Sequence, residues 1–331
     1  MPRPAPLIVL AGGSGFVGRH LATRLAAGGY RIRILTRDGA RVRDLRVLPT
    51  LEILAHPAIY HPDRVTQAVS GAQTLVNLVG VLHEGRRHDR RFEWTHVGIT
   101  RNLLAAAEGS RVRHFIQVSA LGSETPRTRS RYLASKARAE ALVQSSGLDW
   151  ALVRPSVIYG PDDDFLMRFA NLLRFAPGIF PLTCPDTELA PVDIEDIVKA
   201  LMTLIGKPFP SRAIYRLDGP EVWTLREIVK TIAGLIEAPC RIVGLPDWIS
   251  WLMGALLEKM PHPPFTLDNY RTLKAQEALC NSSQTDRTRG FAALGIEPQP
   301  FSSRAAIYLH GSRPTGPDSV QVTAPRTTKP T

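Results

Sequence analysis

The stretch Leu7–Gly18, LIVLAGGSGFVG, decides the fold. An apolar run of strand length, Leu7–Ala11, breaks into glycines spaced Gly12-x-x-Gly15-x-x-Gly18, and a helical pattern follows at once. A tight strand-to-helix turn needs a residue that tolerates positive φ. A pyrophosphate must come closer to the backbone than any Cβ allows, and the free N–H groups and positive dipole end of the helix then hold it. The segment therefore reads as a dinucleotide-binding turn, with Gly12, Ser14, Gly15, Phe16, Val17 and Gly18 forming the cradle. The same residues also spell Gly13-x-Gly15-x-x-Gly18, so the string leaves open which variant of the turn is present.

Outward from this turn, short apolar runs alternate with helical patterns, the signature of a parallel sheet covered on both faces. Strands are predicted at Leu7–Ala11, Arg31–Thr36, Leu51–Ala55, Thr74–Gly80, His114–Ser119 and Trp150–Arg154, and helices at Gly15–Ala27, Trp94–Glu108 and Ser130–Ser145. The expected fold is α/β: a Rossmann-type doubly wound parallel sheet with a smaller C-terminal substrate lobe. Its ligands would sit at the carboxyl ends of the strands, where Val79 and Gly80 close the fourth. Residues 1–160, completed by segments near 190–218, form the expected NAD(P)-binding domain. Residues 161–310 form most of the second lobe. Residues 311–331, rich in Pro and Thr and without periodicity, are an expected disordered tail. The Trp-bearing segment Pro246–Met260 reads as core of the second lobe, with an interfacial apolar contact as its alternative.

The chain has 331 residues and 44% hydrophobic content, enough for a large core and, by length, two domains. Cys184, Cys240 and Cys280 share no metal-ligand or redox spacing, which points to a reducing compartment without disulfides or a metal site. No run reaches the roughly 18 consecutive apolar residues of a membrane span, and Leu7–Ala11 is too short for a signal-peptide core. The expected location is cytoplasmic, with peripheral attachment to the inner face of the cell membrane as an extension. The formal charge of +11, carried mostly by arginine, favours anionic partners. Nucleic acid is not favoured, since no aromatic-plus-basic surface motif accompanies the charge.

Tyr132-Leu-Ala-Ser-Lys136 is the second strong signal. At i,i+4 spacing the phenol and ammonium share a helix face. A nearby cation favours phenolate, moving a group of pKa about 10 towards working pH. Such a phenol can exchange a proton with a carbonyl or alcohol oxygen.

These residues, with AGGSGFVGRHL, NLVGVL at Asn77–Leu82, THVGITRNLL, FIQVSALG, RPSVIYGPDDDF, LAPVDIEDIVKAL and GPEVWTLREIV, resemble the extended short-chain dehydrogenases/reductases. More narrowly they are similar to the atypical branch that includes the NADPH-binding accessory subunit of respiratory complex I and its bacterial relatives. The resemblance spans about Leu7 to about His310. It implies a bound NAD(P)(H) and a C-terminal lobe closing over the nicotinamide. It implies Tyr132 as proton donor or acceptor, Lys136 as phenol tuner and ribose anchor, and Ser119 as substrate hydrogen-bond partner. Shifting the register by one residue puts Ala120 in the place of Ser119. An asparagine of active members matches His96, an incomplete tetrad typical of the atypical branch. His56 stands where relatives carry an acidic residue near the adenine, and Pro155 and Ser156 match the segment lining the nicotinamide.

Arg37 follows the second strand, where its guanidinium would pair with a 2′-phosphate; Asp38 beside it would suit a ribose hydroxyl. NADP(H) is therefore expected over NAD(H). Arg86, Arg87, Arg90 and Arg91 cluster after the fourth strand, and Arg127, Arg129 and Arg131 just before Tyr132. These loops could meet an anionic membrane surface, where each basic residue contributes about 1 kcal/mol, or a respiratory assembly. Three functions are open: an oxidoreductase acting on an unidentified small molecule, linked to quinone or respiratory metabolism; a non-catalytic NADPH-holding subunit of a membrane-associated assembly; and a sugar-nucleotide epimerase or dehydratase.

Overall fold

Eight parallel strands form one sheet, because each helical crossover returns the chain to the same edge. The computed structural model describes residues 5–310, except 85–90, 111, 126–127, 177, 207–211, 239, 259, 261–262, 264 and 281–287. In chain order the elements are β1 (Leu7–Ala11), α1 (Phe16–Ala27), β2 (Arg31–Thr36), β3 (Leu51–Ala55), α2 (Pro62–Val69), β4 (Thr74–Asn77), α3 (Ile99–Gly109), β5 (His114–Val118), α4 (Arg131–Ser145) and β6 (Asp149–Pro155). There follow β7 (Ile158–Tyr159), α5 (Leu166–Arg174), β8 (Ile179–Leu182), β9 (Glu188–Leu189), β10 (Val192–Asp193), α6 (Ile194–Gly206), β11 (Ala213–Leu217), β12 (Trp223–Thr224) and α7 (Leu225–Leu235). The last are β13 (Arg241–Gly244), α8 (Asp247–Leu257), α9 (Leu267–Cys280), β14 (Thr288–Arg289) and α10 (Phe301–His310).

The sheet order is β14-β11-β6-β5-β4-β1-β2-β3. The central strands β1 and β4 are buried along their whole length, as continuous apolar runs require when both sheet faces are covered. On one face Ile8, Leu10 and Ile34 pack against Leu21 and Leu25 of α1 and Ile197 and Leu201 of α6. On the other, Val9, Leu75, Phe115 and Leu152 meet Val65 of α2, Leu103 of α3 and Val143 of α4. A third core, built by Tyr159, Leu166, Leu189, Ile228, Ile232 and Phe301, defines the C-terminal lobe.

Several predicted boundaries move. The fourth strand ends at Asn77 rather than Gly80, because the Val79 N–H turns back to the Asn77 side chain at 3.1 Å. The helix expected from Trp94 opens as a π-helical turn over Glu93–Gly98 before α3. The tryptophans of α8 are not core: Trp248 is 68% and Trp251 49% exposed, with Leu252 and Leu256 beside them on the same helix face. The tail 311–331 lies outside the described residues.

The C-terminal segment is fastened to the sheet by two fully buried carboxylates of LAPVDIEDIVKAL. Asp193 accepts hydrogen bonds from Arg304 Nε at 2.8 Å, the Tyr308 hydroxyl at 2.8 Å and the Glu195 N–H at 2.8 Å. Asp196 accepts from the Gln299 N–H at 2.7 Å and from Lys199 at 2.9 Å.

Gly219, just past β11, donates its N–H to the Ala190 carbonyl at 3.1 Å. A Cβ there would lie 1.8 Å from the Pro191 carbonyl oxygen, which is backbone and cannot swing aside. Gly219→Ala is therefore expected to lower stability by about 1–3 kcal/mol or more. Gly234→Ala, where a Cβ meets no atom within 4 Å inside α7, should raise it by roughly 0.5–1 kcal/mol. Paired thermal and urea denaturation of the two variants checks both signs.

Candidate active site

The turn between β1 and α1 has the shape a diphosphate needs. Gly12 has φ +77°, and a Cβ on it would lie 3.0 Å from the Val79 nitrogen at the end of β4. A Cβ on Gly18 would lie 2.5 Å from Gly13 Cα, so glycine there lets α1 close onto the turn. Gly15 caps α1 without a side-chain hydrogen bond, and no acidic residue stands in the first turn with Phe16 and Val17 to compete with an anion. The Ser14 hydroxyl accepts from Thr36 at 2.9 Å, tying the turn to β2.

Sequence reasoning missed Tyr60. Its hydroxyl donates to the Leu35 carbonyl at 2.8 Å and accepts from the Gly12 N–H at 2.8 Å, locking the cradle to β2. Burial pushes this phenol above its usual range, so it stays protonated for both contacts. Nothing in the loop AHPAIYHPD marks that role.

Arg37 stands half-buried at the carboxyl end of β2, near enough for its charge to act on Tyr60. The Asp38 carboxylate accepts the Ala40 N–H at 2.9 Å and lies 3.9 Å from Arg41, so it is already engaged. Arg19, in the first turn of α1, pairs with Asp44 and donates to the Arg41 carbonyl at 2.7 Å. His56 accepts the Ala58 N–H at 3.0 Å through Nδ1.

Lys136 lies where β4, β5 and α4 meet. Its ammonium reaches the carbonyls of Val79 at 3.4 Å and Val118 at 3.3 Å, and a Cβ on Gly80 would sit 3.3 Å from Nζ. Gly12, Val79, Gly80, Lys136 and the strand end leading to Ser119 thus form one line along the carboxyl edge. Pro155 closes β6 farther along that edge, its carbonyl accepting the Leu121 N–H at 2.9 Å, with Ser156 buried after it. The Ser119 hydroxyl is buried with no hydrogen-bond partner among the described residues.

Tyr132 begins α4 one turn before Lys136, its ring edge-on to His96 at 5.5 Å and to Phe92 at 5.8 Å. His96 accepts the Val81 N–H through Nε2 at 3.2 Å, so Nδ1 carries the proton and meets Ser135 Oγ at 2.7 Å. Ser135 in turn donates to the Tyr132 carbonyl at 2.7 Å. Burial and the Lys136 charge hold His96 neutral. Both its nitrogens are used in positioning α4.

The electrostatics differ from the expectation of a lysine-lowered phenol. Burial, with the Asp268 carboxylate adding to it, pushes Tyr132 up to about 12, so the phenol holds its proton. Burial draws Lys136 down to about 8, and Glu140, one turn further along α4, opposes that fall. Glu140 is held by Arg154 of β6 in a forked pair, Nε–Oε1 at 3.0 Å and Nη2–Oε2 at 2.6 Å, and accepts the Ser123 hydroxyl at 2.6 Å. The spacing Tyr132–Lys136 was legible as one helix face; Glu140 and its Arg154 partner were not.

The fall of Lys136 from 10.5 to about 8 means that its charge costs the folded state about 3 kcal/mol at neutral pH. The unfolded chain binds the proton more tightly, so the cost is full below pH 8 and fades as pH climbs from about 8 to 10.5. Lys136→Met should therefore be more stable than the parent at pH 7, with the gap closing by pH 10. Urea denaturation at both pH values measures this; a parent as stable as the variant at pH 7 would contradict it.

Of the two arginine clusters, Arg86, Arg87, Arg90 and Arg127 lie outside the described residues. Arg91 and Arg129 are exposed, and Arg131 pairs with Glu84 at 2.6 Å. Among the described residues no metal-binding cluster occurs, and no helix is long and apolar enough to cross a membrane.

A family profile described as NAD(P)H-binding matches residues 12–164, the stretch that contains the glycine turn, Tyr132 and Lys136. The chain is 28% identical over 306 residues to the mitochondrial NADH dehydrogenase (ubiquinone) 1 alpha subcomplex subunit 9 of Mus musculus, covering 91% of this chain and 79% of that protein. It is 29% identical over 281 residues to the ceramide reductase of Caulobacter vibrioides, covering 82% and 84%. A nucleoside-diphosphate-sugar epimerase from Staphylococcus aureus shares the fold with a TM-score of 0.67 at 18% identity, over 88% of this chain and 96% of the other. With a dinucleotide-binding turn, a Tyr-x-x-x-Lys helix and these relatives along nearly its whole length, the chain carries an NAD(P)H-binding domain and is similar to the atypical extended short-chain dehydrogenases/reductases.

Proposed function

We propose that the protein is an NADPH-dependent reductase of a small carbonyl or quinone-type substrate, linked to quinone or respiratory metabolism. One observation carries this reading: a protonated phenol stands one helical turn before a buried ammonium, on the strand edge that carries the dinucleotide turn. The nicotinamide, when bound, supplies the hydride. Tyr132 would donate its proton to the substrate oxygen, and the Ser119 hydroxyl, which has no partner among the described residues, would hold that oxygen. Lys136 would bind the nicotinamide ribose hydroxyls through its ammonium, and Val79, Gly80 and Pro155 would line the ring. Arg37 would pair with the 2′-phosphate, supported by the engagement of Asp38 with Ala40 and Arg41. The respiratory link is supported by the likeness to the mitochondrial subunit, and the reductase reading by the likeness to the ceramide reductase.

A second reading is favoured by the surface. A subunit that holds NADPH without turnover, docked on an anionic membrane or a respiratory assembly, would use the exposed stripe of Trp248, Trp251, Leu252 and Leu256 with the arginine-rich loops. An epimerase or dehydratase is a third reading, supported by likeness of fold alone.

Titration with NADPH and NADH, followed by turnover assays with quinones, ketones and sugar nucleotides, decides between them. Tyr132→Phe should abolish turnover while nucleotide affinity stays within about twofold, and Arg37→Ala should weaken NADPH roughly tenfold, worth about 1.4 kcal/mol, and spare NADH. Turnover and affinity should both fall above pH 8, as Lys136 loses its charge. Tight NADPH retention without turnover on any substrate would favour the second reading. In flotation with anionic vesicles, Trp248→Ser with Trp251→Ser should cut binding several-fold; unchanged binding removes α8 from the docking surface.

A further inference from the structure

The helix that carries Tyr132 and Lys136 is capped from the other lobe. The first three N–H groups of α4 have no partner inside the helix. Ser130 serves one of them, its hydroxyl accepting the Leu133 N–H at 3.2 Å. The remaining two are taken by Asp268, at the start of α9: its carboxylate accepts the Arg131 N–H at 2.6 Å and the Tyr132 N–H at 3.1 Å. Ser130 Oγ also lies 3.2 Å from Asp268 and 2.8 Å from Thr272 Oγ1, and the Thr272 hydroxyl donates to the Asp268 carbonyl at 2.8 Å. A carboxylate at a helix N-terminus is favoured by the dipole as well as by these bonds. Here it comes from a residue 136 positions along the chain from Tyr132.

We propose that Asp268 is a positioning residue for Tyr132: through its carboxylate the C-terminal lobe holds the first turn of α4 and sets how readily the phenol gives up its proton. Only the meaning of that proton for chemistry rests on the reductase reading; the contact itself does not. The groups facing Tyr132 define its surroundings. His96 stands on the π-helical turn and is neutral; Lys136 is on the same helix; Asp268 faces them from α9. His83, 3.4 Å from Arg168 of α5, also feels the Asp268 charge, and Arg131 turns its own charge to Glu84. Asp268 is the carboxylate whose charge adds to burial in raising the proton affinity of the phenol, so parting the lobes would free the helix turn and lower that affinity.

The test reads the helix and the phenol directly, on the full chain without nucleotide or substrate. Amide exchange is followed at Arg131 and Tyr132, and the Tyr132 titration by ¹⁹F NMR of protein labelled with 3-fluorotyrosine, its resonance assigned with Tyr132→Phe. Asp268→Ala should speed exchange of those two amides about tenfold or more. Asp268→Asn, which keeps the shape and loses the charge, should lower the fluorophenol pKa by about half a unit, a threefold change in proton affinity. Asp268→Glu should restore it. Asp247→Asn, which breaks the exposed α8–α9 pair with Lys274, should leave both readouts alone. Unchanged exchange and titration in folded Asp268→Asn, or equal effects in Asp247→Asn, would overturn the proposal. If Asp268→Ala does not fold, Asp268→Asn decides. Failure here leaves the Tyr132→Phe turnover test standing, and a silent turnover test leaves this one standing.

Discussion

A positive charge held away from water at the junction of β4, β5 and α4 organises the site. The ammonium of Lys136 has two carbonyls at 3.3–3.4 Å in place of a hydration shell, and such exchange is costly. Its neighbours are arranged around that cost. Gly80 carries no Cβ that would crowd Nζ, and His96 stays neutral beside it. Glu140 brings a compensating charge one turn away, and that carboxylate is itself held by Arg154 across the sheet. The stability given up by burying this charge is thus concentrated at the candidate site.

The nucleotide cradle obeys a different constraint, close approach. Gly12 and Gly18 let the backbone of β1, β4 and α1 come together without a Cβ between them, and Tyr60 then bolts the turn to β2. The cradle is therefore rigid before any ligand arrives, which lowers the entropy that binding has to overcome. Helix α1 contributes donors but no capping side chain, leaving the dipole end for an anion.

Local signals were legible and long-range ones were not. Glycine spacing and apolar runs located β1 and β2 to the residue, because burial between two layers prints itself on consecutive positions, and they located the half-exposed edge strand β3 as well. The Tyr-x-x-x-Lys pair was legible because helical spacing puts both groups on one face. The pKa directions were not, since they depend on burial and on Asp268, which the fold brings from far along the chain. Tyr60, Arg154 and Asp268 were missed for the same reason: each acts through a partner 14 to 137 residues away with no local pattern. The tryptophans of α8 misled in the opposite way, since helical apolar spacing states which residues share a face and not whether that face is covered.

The anchoring of Asp193 bears on how this polypeptide can be shortened or fused. Two of the donors to that fully buried carboxylate, Arg304 and Tyr308, belong to α10, more than a hundred residues downstream. A truncation or proteolytic nick ahead of Phe301 would strand a charged oxygen pair inside the protein, at the very start of α6 and against the α1 face of the sheet. A fragment ending after β11, which keeps the sheet from β3 to β11, would retain Asp193 and lose both of these donors. Expression of the amino-terminal part alone has to reckon with an interior anion whose counter-charges were left behind.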